Sequence, residues 1–248
     1  MLRADPRVAD LVQAGAIRVA LFLPQYAKDA STGELRGIGM GHVAIELVRA
    51  LATRLRIEMH VIENPTPPKA VECLKTKACD VAFLGIEPSR AAEVDFSPPV
   101  VAFDYTYLVP AGSPIHTVAD ADRRAVRIAM VSNHASSLAL IRTVTRAELI
   151  GAELPDSAFD MLRAGHADAF AAPREQLLDY STKLPGSRVL EDSYGINLVG
   201  MAVPKGAAGR LAYISEFVEE AKASGLVQRI IERGGLRGFQ VAVAPKPD

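Results

Sequence analysis

The run Asp80-Val-Ala-Phe-Leu-Gly-Ile-Glu-Pro-Ser-Arg90 sets one arginine just past a short apolar stretch, and Val94-Asp-Phe-Ser-Pro98 follows it. Open α/β sheets bind ligands beyond the C-terminal ends of their strands, so Arg90 stands where a ligand-binding group belongs. A guanidinium keeps its charge and offers a planar fork of donors, which suits a carboxylate or another flat anion. The competing reading pairs Arg90 with Glu87, Glu93 or Asp95 on a solvated helix face.

The surrounding pattern is doubled. Ala16-Ile-Arg-Val-Ala-Leu-Phe22 recurs as Ala125-Val-Arg-Ile-Ala-Met-Val131. In the same order, Ala70-x-x-x-Leu74-Lys75 ending on Asp80 recurs as Ala158-x-x-x-Leu162-Arg163 ending on Asp168. Each half thus has an opening strand, and later a helical apolar spacing that leads through an aspartate into a short buried strand. Two similar α/β halves account for both echoes.

These residues resemble the type II periplasmic solute-binding proteins, and among them the amino-acid-binding group called family 3. The resemblance runs through nearly the whole chain. Val12 to Ala20 is similar to the family's opening helix, glycine and first strand, and Gly33-Glu-Leu-Arg-Gly37 with Gly39 to Leu55 to its Gly-x-Leu-x-Gly turn and long first helix. Asp80 to Pro98 resembles the segment that carries T-P-E-R and D-F-S-D-P, and Ala223 to Gly238 resembles the closing helix and tail. The resemblance implies two lobes, each a mixed, mainly parallel sheet flanked by helices, joined by two crossing strands. The expected boundaries are 1–107 for the first part of lobe one, 108–196 for lobe two and 197–248 for the return segment.

The elements that would position Arg90 follow from periodicity. Lobe one reads as strand Ile17 to Leu23, helix His42 to Leu55, strand Ile57 to Ile62, helix Pro67 to Lys75 and strand Val81 to Leu84, a βαβαβ order that implies a parallel sheet. A crossing strand is expected over Phe103 to Val109. Lobe two reads as strand Val126 to Val131, helices Ser136 to Val144 and Ala158 to Arg163, strand Ala169 to Ala172 and helix Glu175 to Lys183. The chain returns along Ile196 to Val203, and helices Leu211 to Ala223 and Leu226 to Arg233 finish lobe one. Two crossing strands form a hinge on which lobes close over a ligand.

Candidate ligand contacts lie just past the strand ends. In lobe one these are Phe22, Gln25 and Tyr26, then Asn64 beside Glu63, then Gly85, Ile86 and Arg90. In lobe two they are Asn133, His134, Ala135 and Ser136, then Pro173 and Arg174. Ser136 is expected to cap a helix, either as a cap alone or with the helix's free N–H groups making an anion site. Of the five histidines only His134 falls at such a position. Tyr105 and Tyr107 are expected to pack the hinge.

Departures from the family pattern bear on the ligand. Gly85 stands where the resemblance implies a Ser or Thr, and Pro173 where it implies the acid that holds a ligand ammonium. A buried ammonium without that acid would cost several kcal/mol. The expected ligand is therefore a small carboxylate, an amino acid or in preference a non-amino organic acid, with aromatic acids resting on Phe22 or Tyr26; Glu63 or Glu87 stands as the alternative partner for a ligand amine. The resemblance also implies an ABC transporter membrane component as partner. One rival is cyclohexadienyl dehydratase, a relative by fold, but its general acid would stand at Pro173 and Glu175 is expected to point away along its helix. Another is a stand-alone cytoplasmic ligand sensor. No Ser-His-Asp order, phosphate loop or metal spacing points to other chemistry, so no enzyme activity, cofactor or metal is expected.

Composition limits the partners. The chain has 248 residues and 49% hydrophobic content, enough for a sizeable core, and its formal charge of −1 offers nucleic acid no basic surface. Its apolar runs stop short of the ~20 residues of a membrane helix, and a monomer is expected. The resemblance implies the periplasm. Met1 to Asp10 carries no secretory leader, and Asp5-Pro6 reads as an ordinary helix start, which leaves the cytoplasm open. Cys73 and Cys79 are expected to be unpaired thiols, one on a helix face and one in the turn before Asp80.

Overall fold

Arg18 and Asp80, one from each echoed motif, close a fork in the computed structural model, which describes residues 5–23, 25–28, 31–32 and 35–243. Asp80 Oδ2 accepts from the Arg18 backbone N–H at 2.8 Å and from Nε at 2.9 Å, while Oδ1 accepts from Nη2 at 2.9 Å. Arg127 and Asp168 repeat the motif, with the corresponding distances 2.8, 3.1 and 2.9 Å. The outer nitrogen of each arginine also donates to a turn carbonyl, Lys77 or Gly165, both at 2.9 Å. Those two turn residues have left-handed backbone, φ 58° and 72°. The sequence echo is therefore a repeated strand-to-strand clamp.

The chain divides into two compact units, residues 1–102 with 198–248, and residues 103–197. In the first unit Asp5 caps a 3-10 turn, Pro6–Val8, by accepting from the Arg7 N–H at 2.9 Å. There follow α1 (Ala9–Ala14), β1 (Ala16–Phe22), the small hairpin β2 (Tyr26–Lys28) and β3 (Leu35–Gly37), and α2 (Met40–Leu55). Next come β4 (Glu58–Asn64), α3 (Pro67–Lys75), β5 (Val81–Gly85) and α4 (Pro88–Ala91). β1 lies parallel to β4 and β5. The apolar positions of α2, among them Val43, Leu47 and Leu51, are wholly buried, as its helical spacing requires. Gly33 and Glu34 of the family-like turn lie outside the described residues.

β6 spans Val94–Val109 and carries the chain from the first unit into the second. It is longer than the strand expected from Phe103, because Val94-Asp-Phe-Ser-Pro-Pro-Val continues in extended form before it. The second unit then contains α5 (Val118–Ala121), β7 (Arg127–Val131), α6 (Ala135–Thr143), β8 (Glu148–Ala152) and α7 (Pro155–Arg163). After these come β9 (Ala169–Pro173), α8 (Arg174–Ser181) and β10 (Arg188–Val189). Its sheet runs β6-β9-β7-β8, with β7, β8 and β9 parallel and β6 antiparallel to β9. Strand β11 (Gly195–Pro204) returns the chain to the first unit, where it lies antiparallel to β5. α9 (Ala208–Ala223), α10 (Leu226–Arg233) and β12 (Gln240–Val241) complete that unit.

Strand β8 has no counterpart in the elements expected from sequence. It is an edge strand on which only Ala152 is buried, so it carries little of the apolar signal that marks a strand. Asp122 fixes its entrance. Burial opposes the Asp122 charge, yet the N–H groups of Arg146, Ala147 and Thr145 outweigh it and hold the carboxyl down to about 2.

Cys73 and Cys79 form a disulfide, which corrects the expectation of two free thiols. The turn after α3 folds back so that the two Cα atoms lie 5.4 Å apart, within bridging range. The equivalent turn of the second unit closes without a bridge. Ala78 and Cys79 donate to the Cys73 carbonyl at 2.9 and 3.2 Å, and His166 and Ala167 donate to Met161 at 2.9 and 3.1 Å.

Two stability predictions follow from these turns. Burial works against the Asp80 charge, but the Arg18 hydrogen bonds and then Arg210 hold its carboxyl below the ordinary range; Arg127 does the same for Asp168. Depressed folded values mean that this stabilisation is full above the ordinary pKa near 4 and is lost as pH falls through the folded values. Asp80→Asn should cost about 3 kcal/mol, because its side chain is only 5% exposed. Asp168→Asn, at 38% exposure, should cost about 1 kcal/mol. Melting curves from pH 7 to pH 3 should fall less steeply for Asp80→Asn than for the parent. The Cys73→Ala/Cys79→Ala double variant should lose about 2 kcal/mol of stability while native-state hydrogen exchange at the turn amides stays protected.

Candidate functional site

At the C-terminal end of β5, Arg90 is 8% exposed and donates from Nη1 to the Gly85 carbonyl at 3.2 Å. Of the acids offered as its surface partners, two pair with lysines. Glu93 pairs with Lys75 at 2.6 Å and Asp95 with Lys205 at 2.8 Å. Glu87 is itself buried, at 6% exposure, and leaves the first turn of α4 without a side-chain cap. Gly85 is buried, and Ile86 is held by its N–H to the Leu198 carbonyl at 2.8 Å. A Cβ on Gly200 of β11 would meet Ile86 Cδ1 at 3.2 Å and the Ser97 carbonyl at 3.1 Å, so that glycine leaves room for Ile86.

The neighbouring strand ends are tied together by amides. Gln25 is 6% exposed; its Nε2 donates to the Phe83 carbonyl at 3.3 Å, and its Oε1 accepts from the Phe22 N–H at 3.4 Å. Asn64 donates to the Ile62 and Leu21 carbonyls at 3.0 and 3.4 Å. Both side chains bind main chain at the ends of β1, β4 and β5, so they shape the site. Phe22 is half-buried against the core that includes Cys73 and Leu84. Tyr26 is half-buried; burial and then the Glu63 charge raise its hydroxyl above the ordinary value, which keeps it a hydrogen-bond donor. Glu63 pairs with Lys28 at 2.9 Å.

In the second unit the turn from β7 into α6 holds the predicted group Asn133 to Ser136. Asn133 is exposed and left-handed, φ 62°, a conformation asparagine tolerates better than most residues. His134, not Ser136, takes the cap position of α6. Its carbonyl accepts from Ser137 and Leu138 at 3.1 and 3.0 Å. Ala135 opens the helix, half-buried. Ser136 lies inside it at 3% exposure, beside the Tyr194 hydroxyl, whose pKa burial raises. The helix begins one residue earlier than its apolar spacing implied, which turns Ser136 inward.

Pro173 ends β9 opposite Tyr105 of β6. Arg174 donates to the carbonyls of Leu190 at 2.6 Å, Glu191 at 2.8 Å and Asp192 at 3.3 Å. Its guanidinium thus clamps the segment that leads into β11. The rings of Tyr105 and Tyr107 stack on Tyr194 at 5.8 and 5.0 Å. Among the described residues no group of three or more His, Cys, Asp and Glu could hold a metal, and no helix is long and apolar enough to cross a membrane.

The sequence profile of the bacterial extracellular solute-binding proteins, family 3, matches residues 24–234. The chain belongs to that family. Its fold is that of the type II periplasmic solute-binding proteins. A solute receptor for L-cysteine from Neisseria gonorrhoeae is similar at a TM-score of 0.77 and 21% identity, over 93% of this chain and 94% of that one. An amino acid ABC transporter substrate-binding protein from Streptococcus pneumoniae, bound to L-arginine, is similar at 0.75 and 19% identity, over 95% and 99%. An ancestral amino acid-binding protein, a precursor of cyclohexadienyl dehydratase, is similar at 0.73 and 24% identity, over 91% and 98%. At these identities the likeness is one of fold. No curated protein sequence matches the chain.

Gly37 and Gly39 were singled out for the family-like turn and first helix, but the close packing of Gly37-Ile-Gly39-Met-Gly41 was not expected. A Cβ on Gly41 would meet the Gln25 carbonyl oxygen at 1.7 Å, and one on Gly37 the Gly41 carbonyl oxygen at 2.5 Å. Gly39, at φ 53° and ψ −120°, starts α2 in a conformation that suits glycine. Gly41→Ala should therefore displace Gln25 and cost about 1–3 kcal/mol. The fall in melting temperature, roughly 2–4 °C per kcal/mol, measures it, and an unchanged melting curve would refute this packing role.

Proposed function

We propose that this family 3 protein captures a small carboxylate as the ligand-binding component of an ABC-type transporter. Arg90 holds the carboxylate, and within the second unit the turn from Asn133 to Ser136 is the candidate for ligand contact. The observation that carries this reading is the burial of Arg90 at the end of β5 in a chain of family 3. A guanidinium taken out of water there gains from an anion that it can grip with two parallel hydrogen bonds.

Within the carboxylates, a non-amino organic acid is preferred to an α-amino acid. Pro173 stands where the family pattern has the acid for a ligand ammonium, and Glu63 is engaged by Lys28. Burying an ammonium without its counter-charge costs several kcal/mol. The receptors for L-cysteine and L-arginine with the same fold support a small organic ligand of this size. Binding without turnover is proposed over dehydratase chemistry, because a proline at position 173 has no proton to give a leaving hydroxyl.

A thermal-shift screen of amino acids, dicarboxylates and aromatic acids tests the reading. A true ligand at 100 times its Kd should add about 2.7 kcal/mol. Arg90→Ala should abolish that gain and leave the unliganded melting point nearly unaltered. A large loss of unliganded stability would mark Arg90 as a structural ion pair, and turnover of prephenate or arogenate would mark the protein as an enzyme.

A further inference from the structure

The turn from α3 into β5 and the turn from α7 into β9 share one hydrogen-bond pattern and differ in what holds it. In the first, Lys77 donates to the Leu74 carbonyl at 3.0 Å, and Ala78 and Cys79 donate to the Cys73 carbonyl. In the second, Gly165 donates to Leu162 at 3.1 Å, and His166 and Ala167 donate to Met161. Asp80 and Asp168 then donate to the carbonyls of Arg18 and Arg127 at 2.9 and 2.8 Å. By this register Cys73 matches Met161, Lys77 matches Gly165 and Cys79 matches Ala167. The left-handed residue is a lysine at φ 58° in one turn and a glycine at φ 72° in the other, and the turn with the lysine is the one with the disulfide. A Cβ disfavours the left-handed conformation, and glycine escapes that cost. The Lys77 side chain is exposed, and a Cβ on Gly165 would meet nothing within 4 Å, so the two positions differ in backbone preference rather than in packing.

We propose that the Cys73–Cys79 disulfide is a redox-dependent lock, which does for Lys77 what glycine does for the second turn. Six residues of extended chain span about 20 Å, whereas the bridge holds Cys73 and Cys79 with their Cα atoms 5.4 Å apart. The oxidised chain is therefore confined to reversed conformations before it folds, and much of the cost of turning at Lys77 is already met in the unfolded state. A reduced chain meets that cost on folding. Reduction by a dithiol breaks the S–S bond and leaves the reductant as a cyclic disulfide; two electrons and two protons pass to the protein as its two thiols. The lock bears on the first clamp, because the Lys77 carbonyl accepts from Arg18 at 2.9 Å and Asp80 follows Cys79 directly. Arg210 joins Asp80 to Asp10 at the same place. Redox state thus sets the strength of a junction of four charged residues in the first unit, while the glycine-based turn of the second unit is indifferent to it.

Melting curves of the whole protein, oxidised and reduced with dithiothreitol, test the lock, with the mass after thiol alkylation recording the state of the bridge. Reduction should lower the melting temperature of the parent by roughly 4–8 °C. In Lys77→Gly that loss should shrink to about half, since glycine removes the backbone cost that the bridge offsets. Should the buried bridge resist the reductant, Cys73→Ala/Cys79→Ala with and without Lys77→Gly makes the same comparison. Gly165→Lys, which sets a lysine in the turn without a bridge, should melt roughly 2–8 °C below the parent. An equal loss on reduction with lysine or glycine at position 77, or a Gly165→Lys protein that melts with the parent, overturns the proposal.

Discussion

In each unit an arginine, on β1 or β7, grips an aspartate that enters the neighbouring parallel strand, β5 or β9, and the placement of those strands leans on that grip. Arg18 with Asp80 and Arg127 with Asp168 each combine a forked side-chain pair with a backbone N–H to the same carboxylate. The hydrophobic pattern sets the register between strands where a face is buried, and each clamp adds a fixed polar point to it. In the first unit Arg210 of α9 adds to it, donating to Asp80 Oδ1 at 3.1 Å and pairing with Asp10 of α1. The clamp thereby ties the start of the chain and the return segment to the same strand.

From this fixed end β5 runs five buried residues, Val81–Gly85, to the turn that carries Ile86, Glu87 and Arg90. The clamp and Arg90 thus lie at opposite ends of the same strand. Gln25 and Asn64 bind main-chain carbonyls of β1, β4 and β5, which ties these strand ends together. Arg174 does comparable work in the second unit, where its guanidinium gathers the Leu190 to Asp192 carbonyls. A residue type suited to binding an anion is used there to satisfy three backbone acceptors. Residue type and position just past a strand were the same for Arg90 and Arg174; their partners differ.

Much of the architecture was legible because it rests on local periodicity. The helices Pro67–Lys75 and Leu226–Arg233 stand where their apolar spacing placed them, and β1, β5, β7 and β9 lie within a residue of their apolar runs. What was not legible had weak or misleading local signals. The edge strand β8 buries little, the hairpin of β2 and β3 has three residues a side, and the cysteines six apart needed the fold of their turn before they could meet. Ser136 was read as a cap from its type, but one residue of helix phase decides whether a hydroxyl faces outward or in.

The order of elements, the internal doubling and the family were determined by the sequence itself, since hydrophobic period, glycine placement and the Asp-to-strand motif are properties of neighbouring residues. Tertiary structure alone decided which charged groups pair with which inside the fold. Pairing of Glu93 with Lys75, Asp95 with Lys205 and Glu63 with Lys28 joins residues from separate elements, and so does the reach of Arg174 to the Leu190 segment. A charge acts through what stands within a few ångströms and through how much water remains around it, and neither quantity exists until the chain has folded.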